Sequence, residues 1–211
     1  MSGYEAIESL LEDLRREGVN DPAVLDAMAE IPRDLFVEDE FAARAYENRP
    51  LPIECAQTIS QPSVVALMTQ ALELDPRCKV LEIGAGSGYQ TAILARISRR
   101  VYAIERHEPL FRTASARLAG LRITNVVLSH GDGGLGWTDQ APFDRILAAA
   151  AAPDVPHALM EQRRPGGIMV LPIGEQDDVQ ELLRVRKSQT GEMSYDSLGP
   201  VRFVPMVEGI A

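Results

Sequence analysis

Apolar residues recur at helical spacing in the first third of the chain. Four of them predict an amphipathic helix that ends at Gly18: Ile7, Leu10, Leu11 and Leu14. The segment 20–22, Asn-Asp-Pro, predicts a second helix, since a polar cap followed by proline in the first turn is a common helix start. Residues 34–47 are expected to form a short helix and an irregular stretch, 54–63 a polar loop, and 64–72 another helix.

The pattern changes at residue 79, where short β-prone runs begin to alternate with helices. Five strands are predicted, near 79–83, 101–105, 125–129, 144–149 and 168–173. Strands separated by helices are typical of a parallel sheet covered on both faces. After Gly174 the segments 178–186 and 201–205 predict antiparallel strands, separated by a polar stretch. The chain is therefore predicted to have an α/β fold.

No repeat or long linker interrupts this order, so the 211 residues are expected to form a single domain. Within it we expect a helical part over 1–75, a core over 76–175 and C-terminal strands over 176–211. We expect a monomer, because no exposed apolar stripe is obvious.

Charge and composition exclude several classes of function. The net charge of −10 argues against binding to nucleic acid or to an anionic membrane, because both need a basic surface. No run approaches the roughly 20 apolar residues of a membrane span, and the acidic N-terminus lacks the features of a signal peptide. Cys55 and Cys78 fit no paired-cysteine metal motif, so we expect reduced thiols in the cytoplasm.

The most informative segment is 80–90, VLEIGAGSGYQ. An apolar run leads into three glycines and then into a helix-prone run, a layout that lets bare backbone approach an extended cofactor. The third glycine comes one position earlier than in nicotinamide-binding turns, and the acidic residue Glu82 lies near the end of the strand. Both features are more typical of S-adenosylmethionine sites. The candidate cofactor-binding residues are Glu82, Gly84, Gly86, Ser87 and Gly88. An ordinary glycine turn remains the alternative.

Two further strand ends carry polar groups in the expected order. Glu105 follows the next strand, where a carboxylate normally accepts hydrogen bonds from ribose hydroxyls. Asp132 at the third strand end suits an adenine amino group, and the Gly133 backbone lies beside it for the ring edge. Each acid alone is also explained as a solvated loop residue. Three such strand ends in sequence favour a cofactor site.

A second informative segment is 57–63, QTISQPS. Pro62 stands where a helix would begin, and a helix N-terminus attracts anions. A hydroxyl from Ser60 or Thr58 beside it could hydrogen-bond a carboxylate. The alternative is that Ser60, Gln61 and Ser63 merely cap the helix.

These two segments resemble the protein-L-isoaspartate (D-aspartate) O-methyltransferase family. Further matches occur in the right order, at 31–33, 36–37, 131–133, 141–144, 165–167, 171–174 and 201–205, so the resemblance covers nearly the whole chain. Many methyltransferases share the glycine turn, whereas QTISQP at 57–62 is far more specific.

The resemblance implies a Rossmann-like, class I S-adenosylmethionine-dependent methyltransferase fold with N-terminal helices and C-terminal antiparallel strands. It implies methylation of the α-carboxylate of L-isoaspartyl residues in damaged proteins and peptides, with S-adenosyl-L-homocysteine as product. Ser60 would be the active-site residue, and Gln57, Thr58 and Ile59 would bind substrate with it. The methyl ester would then collapse to a succinimide, whose hydrolysis returns some normal aspartate.

The chemistry implied for this family needs no metal and no general base. A carboxylate with a pKa near 4 is already ionised at pH 7, so catalysis is mostly positioning. Ser60 is therefore expected to orient the substrate rather than act as a nucleophile, and the three histidines are expected to be structural or at the surface.

Three departures from the family pattern affect the substrate side: Glu38, Glu54-Cys55-Ala56 in place of a glycine-containing stretch, and Ala149 in place of a hydroxyl residue. Two alternatives therefore stay open. One is an S-adenosylmethionine enzyme with another acceptor, and the other is a non-catalytic relative that binds the cofactor alone.

Overall fold

Nine strands and six helices are assigned in the described part of the computed structural model, which comprises residues 3–175 and 178–211. The strands are β1 (Leu51–Ile53), β2 (Gln57–Ile59), β3 (Lys79–Ile83), β4 (Arg100–Glu105), β5 (Val126–His130), β6 (Phe143–Ala148), β7 (Arg163–Ile173), β8 (Gln180–Lys187) and β9 (Met193–Val201). The helices are α1 (Gly3–Arg16), α2 (Pro22–Glu30), α3 (Pro62–Ala71), α4 (Tyr89–Ile97), α5 (Glu108–Gly120) and α6 (His157–Glu161), with short 3-10 turns between them.

Seven of the strands form one sheet in the order β5-β4-β3-β6-β7-β8-β9. The strands from β5 to β7 are parallel, whereas β8 and β9 are antiparallel additions at one edge. Ile83, the last residue of β3, pairs with Ile104 of β4 and with Ala148 of β6. The carboxyl ends of the three central strands therefore meet at one edge of the sheet.

The central strands are buried on both faces, as their nearly continuous apolar runs predict. Val80 and Leu147 pack in one cluster with Met68 of α3 and Leu94 of α4. Leu81 and its neighbours on the opposite face pack in a second cluster that includes Leu159 of α6. The predicted α/β arrangement with helices on both faces is confirmed.

The N-terminal helices cover the outer side of α4. Leu14 of α1, Met28 of α2 and Ile93 of α4 are all fully buried in one cluster. Asp21 caps α2 by accepting a hydrogen bond from the Ala23 amide at 2.9 Å, as its position before proline predicts. No helix in the part of the chain that the structure describes is both long enough and apolar enough to cross a membrane.

Two predicted boundaries are wrong. Residues 57–59, expected within a polar loop, form β2 and pair antiparallel with β1. The last strand spans Met193–Val201 instead of 201–205, because the polar residues of this edge strand face solvent and so lack the apolar signal of a strand. Residues 202–205 lie outside the main sheet, and a single bridge joins Ala151 to Pro205.

The turn between β1 and β2 holds two non-glycine residues in the left-handed region. Cys55 has φ of 58° and Ala56 has φ of 54°. Glycine has no Cβ and adopts this conformation freely, whereas L-residues other than asparagine and aspartate rarely do, because Cβ approaches the following carbonyl oxygen. The turn is the Glu54-Cys55-Ala56 stretch where the family pattern carries glycines, so the sequence departure is a source of local strain.

Replacing Ala56 with glycine is therefore expected to stabilise the protein. Relief of the left-handed strain outweighs the added entropy of the unfolded chain, and the net gain is about 0.5–1 kcal/mol in urea unfolding. The control is Ala116→Gly, the same change at an exposed position within α5, which should cost about 1 kcal/mol. If Ala56→Gly lost as much stability as Ala116→Gly, the turn would not be strained.

Candidate active site

A cavity of about 360 Å³ lies at the carboxyl edge of β3, β4 and β6. Its walls come from the β1–β2 hairpin, the glycine turn, the end of β4 and the C-terminal segment. The lining residues include Ala56, Gln57, Thr58, Ile59, Ser60, Gly84, Gly86, Ser87, Glu105, His107, Gly133, Ala149 and 204–207. Most of the predicted site residues thus surround one space.

Backbone groups form the floor of the cavity. Gly84, Gly86 and Gly88 have φ of 82°, 54° and 88°, in the left-handed region that glycine adopts without strain. The amides of Gly84 and Ala85 both donate to the Ile104 carbonyl, at 2.8 and 3.2 Å, which ties the turn to β4. Gly84 and Gly86 line the cavity, and their missing side chains leave the backbone open to a ligand.

Gly88 contributes to helix packing, unlike the other two glycines, which line the cavity. It lies outside the cavity wall, at the start of α4, and a Cβ added there would be 3.2 Å from the Ala114 Cβ of α5. Its bare backbone lets α4 and α5 pack closely. The third glycine of the predicted cofactor motif therefore allows the close helix packing next to the turn.

Glu105 is the polar group that shapes the turn. Its carboxylate accepts hydrogen bonds from the Gly86 amide at 2.8 Å and from the His107 amide at 2.9 Å, and only 4% of the residue is exposed. A carboxylate has about four acceptor positions, so two remain for hydroxyl donors from the cavity. The geometry fits the ribose contact predicted for Glu105.

Asp132 lies at the third strand end, directly before Gly133. Its two carboxylate oxygens accept from the amides of Gly134 and Gly209, at 2.8 and 2.7 Å. It is not among the residues that line the cavity, whereas its neighbour Gly133 is. A Cβ on Gly133 would lie 2.2 Å from Ile83 Cγ2, so only glycine lets this backbone pass there. At this strand end, backbone rather than the carboxylate faces the cavity.

Glu82 lies in the sheet beneath the turn. It is fully buried, does not line the cavity, and its neighbours include Thr91 of α4. Burial raises the pKa of Glu82 to about 8, the charge of Glu105 adds to the rise, and the Thr91 hydroxyl offsets part of it. The side chain is therefore mostly protonated at pH 7, unlike an ordinary glutamate.

The hairpin brings Ser60 to the edge of the cavity. Thr58 and Ser60 line both the cavity and an adjoining groove of about 580 Å³, so they stand at the junction of the two spaces. Gln57 lines the cavity and donates from Nε2 to the Cys55 carbonyl at 3.1 Å, while Ile59 is buried. The four predicted substrate residues are therefore adjacent to the predicted cofactor residues.

Ser60 does not cap α3. Gln61 occupies the cap position without a side-chain capping bond, and its Nε2 instead donates to Ser63 Oγ at 2.7 Å. The capping interpretation of Ser60 is therefore not supported. Ala149, where the family pattern has a hydroxyl, also lines both the cavity and the groove.

Within residues 3–175 and 178–211, no group of three or more histidine, cysteine or acidic side chains is arranged to hold a metal ion. Cys55 and Cys78 are free thiols.

Comparison with known proteins agrees with this geometry. A family model described as protein-L-isoaspartate(D-aspartate) O-methyltransferase matches residues 5–211. The chain belongs to the protein-L-isoaspartate O-methyltransferase family. It is 57% identical over 197 residues to the protein-L-isoaspartate O-methyltransferase of Ruegeria pomeroyi, covering 93% of this chain and 91% of the relative. The Roseobacter denitrificans enzyme of the same name is 54% identical over 210 residues, covering 100% and 98% of the two chains.

Solved structures of the family share the fold. One protein-L-isoaspartate O-methyltransferase superposes with a TM-score of 0.85 at 29% identity, covering 94% of this chain and 65% of that one. A Plasmodium falciparum structure described as a member of the family, in complex with S-adenosyl-L-homocysteine, gives 0.81 at 26% identity and covers 94% and 97%. The chain therefore has the Rossmann-like methyltransferase fold with N-terminal helices and antiparallel C-terminal strands.

Several residues of this methyltransferase site were not predicted from the sequence. Val204, Pro205, Met206 and Val207 line the cavity, but the strand expected at 201–205 placed part of this segment in the sheet. His107 also lines the cavity; it had been expected to be structural or at the surface, although its position two residues after Glu105 indicated a place near the cofactor. Arg33, whose guanidinium bonds the Ser60 carbonyl, was visible only as part of the Ile-Pro-Arg match at 31–33.

The protonated Glu82 predicts an unusual pH dependence of stability. The folded protein holds a proton that the unfolded chain releases near the ordinary pKa of 4.5, so the free energy of unfolding falls as pH rises from there through about 8. This contribution reaches up to a few kcal/mol. Urea unfolding of the unliganded protein between pH 5 and pH 9 should show the fall, and Glu82→Gln, which cannot ionise, should lack it. Parallel pH profiles for the two proteins would contradict the assignment.

Proposed function

We propose that this chain transfers a methyl group from S-adenosyl-L-methionine to the α-carboxylate of L-isoaspartyl residues in damaged proteins and peptides, the first step of their repair. The observation that carries the proposal is the position of Ser60, on the wall shared by the cavity and the open groove. A donor held in the cavity and an acceptor that enters by the groove would meet beside its hydroxyl. Family membership and the full-length relatives support the same activity.

The cavity residues fit an S-adenosyl cofactor. The open backbone at Gly84 and Gly86 suits the amino-acid part, the spare acceptor positions of Glu105 suit the ribose hydroxyls, and the Gly133 backbone suits the adenine edge. Ser87 lies within the turn and also lines the cavity, and Glu82 is buried in the strand that leads into the turn. When bound, the cofactor supplies an electrophilic methyl group on a sulfonium sulfur.

Ser60 is proposed to bind and orient the isoaspartyl carboxylate. Its hydroxyl can donate a hydrogen bond to one carboxylate oxygen and so direct the other toward the cavity. The N-terminus of α3 begins two residues later, and its partial positive charge favours an anion there. Since the carboxylate is already ionised at pH 7, the residues have no proton to remove.

The groove is proposed to receive the peptide chain around the damaged residue. Its wall is formed by Val64 and Leu67 of α3 and by Leu198 and Val201 of β9, with Arg202 and Glu17 as charged groups. Residues of all three sequence regions, 1–75, 76–175 and 176–211, surround this groove, so we propose that they act as one domain.

The activity is tested by methyl transfer from labelled S-adenosyl-L-methionine to a synthetic L-isoaspartyl peptide. The matched L-aspartyl peptide is the control, because it differs only in which carboxylate forms the backbone bond. We expect label in the isoaspartyl peptide alone. Equal labelling of both peptides, or transfer to neither while S-adenosyl-L-homocysteine binds, would refute the proposed substrate.

Replacing Ser60 with alanine is expected to lower kcat about 10- to 100-fold, because a hydrogen bond to a charged group is lost in the reacting complex. The affinity for S-adenosyl-L-homocysteine, measured by calorimetry, should change less than about twofold because the glycine turn is untouched. Ser115→Ala, on α5 and outside the cavity wall, is the matched control and should keep full activity. Equal losses of kcat and cofactor affinity in Ser60→Ala would instead indicate a structural defect.

A further inference from the structure

Arg33 is a buried cation that the proposed reaction does not yet use. None of its surface is exposed, and no carboxylate forms an ion pair with it in the part of the chain that the structure describes. Burial lowers the pKa of Arg33 to about 10, so the guanidinium is still charged at pH 7. Burying a charge without a carboxylate partner costs free energy, which the other contacts of the guanidinium must offset.

The guanidinium makes its contacts with three separate segments. Nη2 donates to the Ser60 carbonyl at 2.7 Å, and Nε donates to the Ala45 carbonyl at 2.8 Å. Its carbon lies 4.8 Å from the centre of the Tyr89 ring, a cation–π distance. Tyr89 is the first residue of α4, directly after Gly88.

These contacts connect the two halves of the proposed site. Ser60 belongs to the segment between β2 and α3, which otherwise has no hydrogen-bonded strand or helix pairing at that residue. Tyr89 lines the cavity and follows the glycine turn without a break. Phe36 fixes the Tyr89 ring from another side, edge to face, with ring centres 5.4 Å apart. The guanidinium thus connects the carbonyl of Ser60 to α4, the helix that directly follows the glycine turn.

We propose that Arg33 is a positioning residue, which sets the Ser60 hydroxyl relative to the cofactor turn by holding the Ser60 carbonyl against Tyr89. This inference rests on the proposed function. A planar guanidinium can donate to two carbonyls while it stacks on a ring, whereas the ammonium of lysine is a point charge without that fork. Arg33→Lys should therefore fold with the charge retained but lose the placement of Ser60.

A double-mutant cycle on kcat tests the inference. Arg33→Lys should lower kcat about tenfold with the isoaspartyl peptide, and affinity for S-adenosyl-L-homocysteine should stay within about threefold. In the Ser60→Ala background the same change should alter kcat less than about twofold, because there is no hydroxyl left to position. Arg33→Gln, which removes the buried charge and so carries less risk of misfolding, should show the same coupling.

The matched control is Arg163→Lys. Arg163 is the other arginine with almost no exposed surface, and it donates to the Val185 carbonyl at 2.7 Å, in the sheet away from the cavity. Its replacement should lower the free energy of unfolding as Arg33→Lys does and leave kcat within about twofold of the parent.

The outcomes separate the inference from the proposed function. If the parent protein transfers no methyl group to the isoaspartyl peptide, the proposed function fails. If the parent is active and the kcat losses of Arg33→Lys and Ser60→Ala multiply, the inference is overturned. It is equally overturned if Arg163→Lys loses kcat as strongly as Arg33→Lys, or if Arg33→Lys loses cofactor affinity as strongly as kcat.

Discussion

The parallel pairing of β3 with both β4 and β6 is the constraint on which the site depends. Ile83 pairs with Ile104 on one side and Ala148 on the other, so three strands end at one level. The segments after them, the glycine turn, residues 105–107 and residues 149–150, therefore converge on one cavity. A shift of this register would move the Gly86 amide away from the Glu105 carboxylate, and the turn would lose its support.

Three buried ionisable residues around this edge are stabilised in three different ways. Glu105 accepts two backbone hydrogen bonds, Glu82 is mostly protonated at pH 7, and Arg33 donates to two carbonyls and stacks on Tyr89. None of the three pairs with an oppositely charged side chain among the described residues. Hydrogen bonds with backbone groups stabilise Glu105 and Arg33, and protonation stabilises Glu82, so no ion pair between side chains is needed at this edge.

The sequence was sufficient to predict the parallel strands of the sheet and the glycine turn at its edge. The apolar runs at 79–83 and 101–105 form buried strands, and the three glycines at 84, 86 and 88 mark a turn with positive φ. Both features are visible in a short stretch of sequence. Contacts between segments that are distant in the sequence could not be predicted in this way. The groups that Asp132 bonds, the opposite faces on which Gly84 and Gly88 lie, and the cavity residues at 204–207 all depend on packing between distant segments.

The solvated edge of the protein was the least predictable part for a related reason. A half-exposed strand such as β9 carries polar residues at most positions, so its pairing with β8, not its composition, defines it. The β1–β2 hairpin was missed because its three-residue strands are too short to show alternation, and its turn residues, Cys55 and Ala56, are not those that such turns favour.

One edge of the sheet is proposed to hold the methyl donor, with Ser60 facing the acceptor that enters from the groove. The most direct test is a crystal structure of the chain with S-adenosyl-L-homocysteine and an L-isoaspartyl peptide. We expect the cofactor product over Gly84 and Gly86 with its ribose on Glu105, and the isoaspartyl carboxylate within hydrogen-bonding distance of Ser60 Oγ. A peptide carboxylate bound away from Ser60, or a cofactor product outside this cavity, would contradict it.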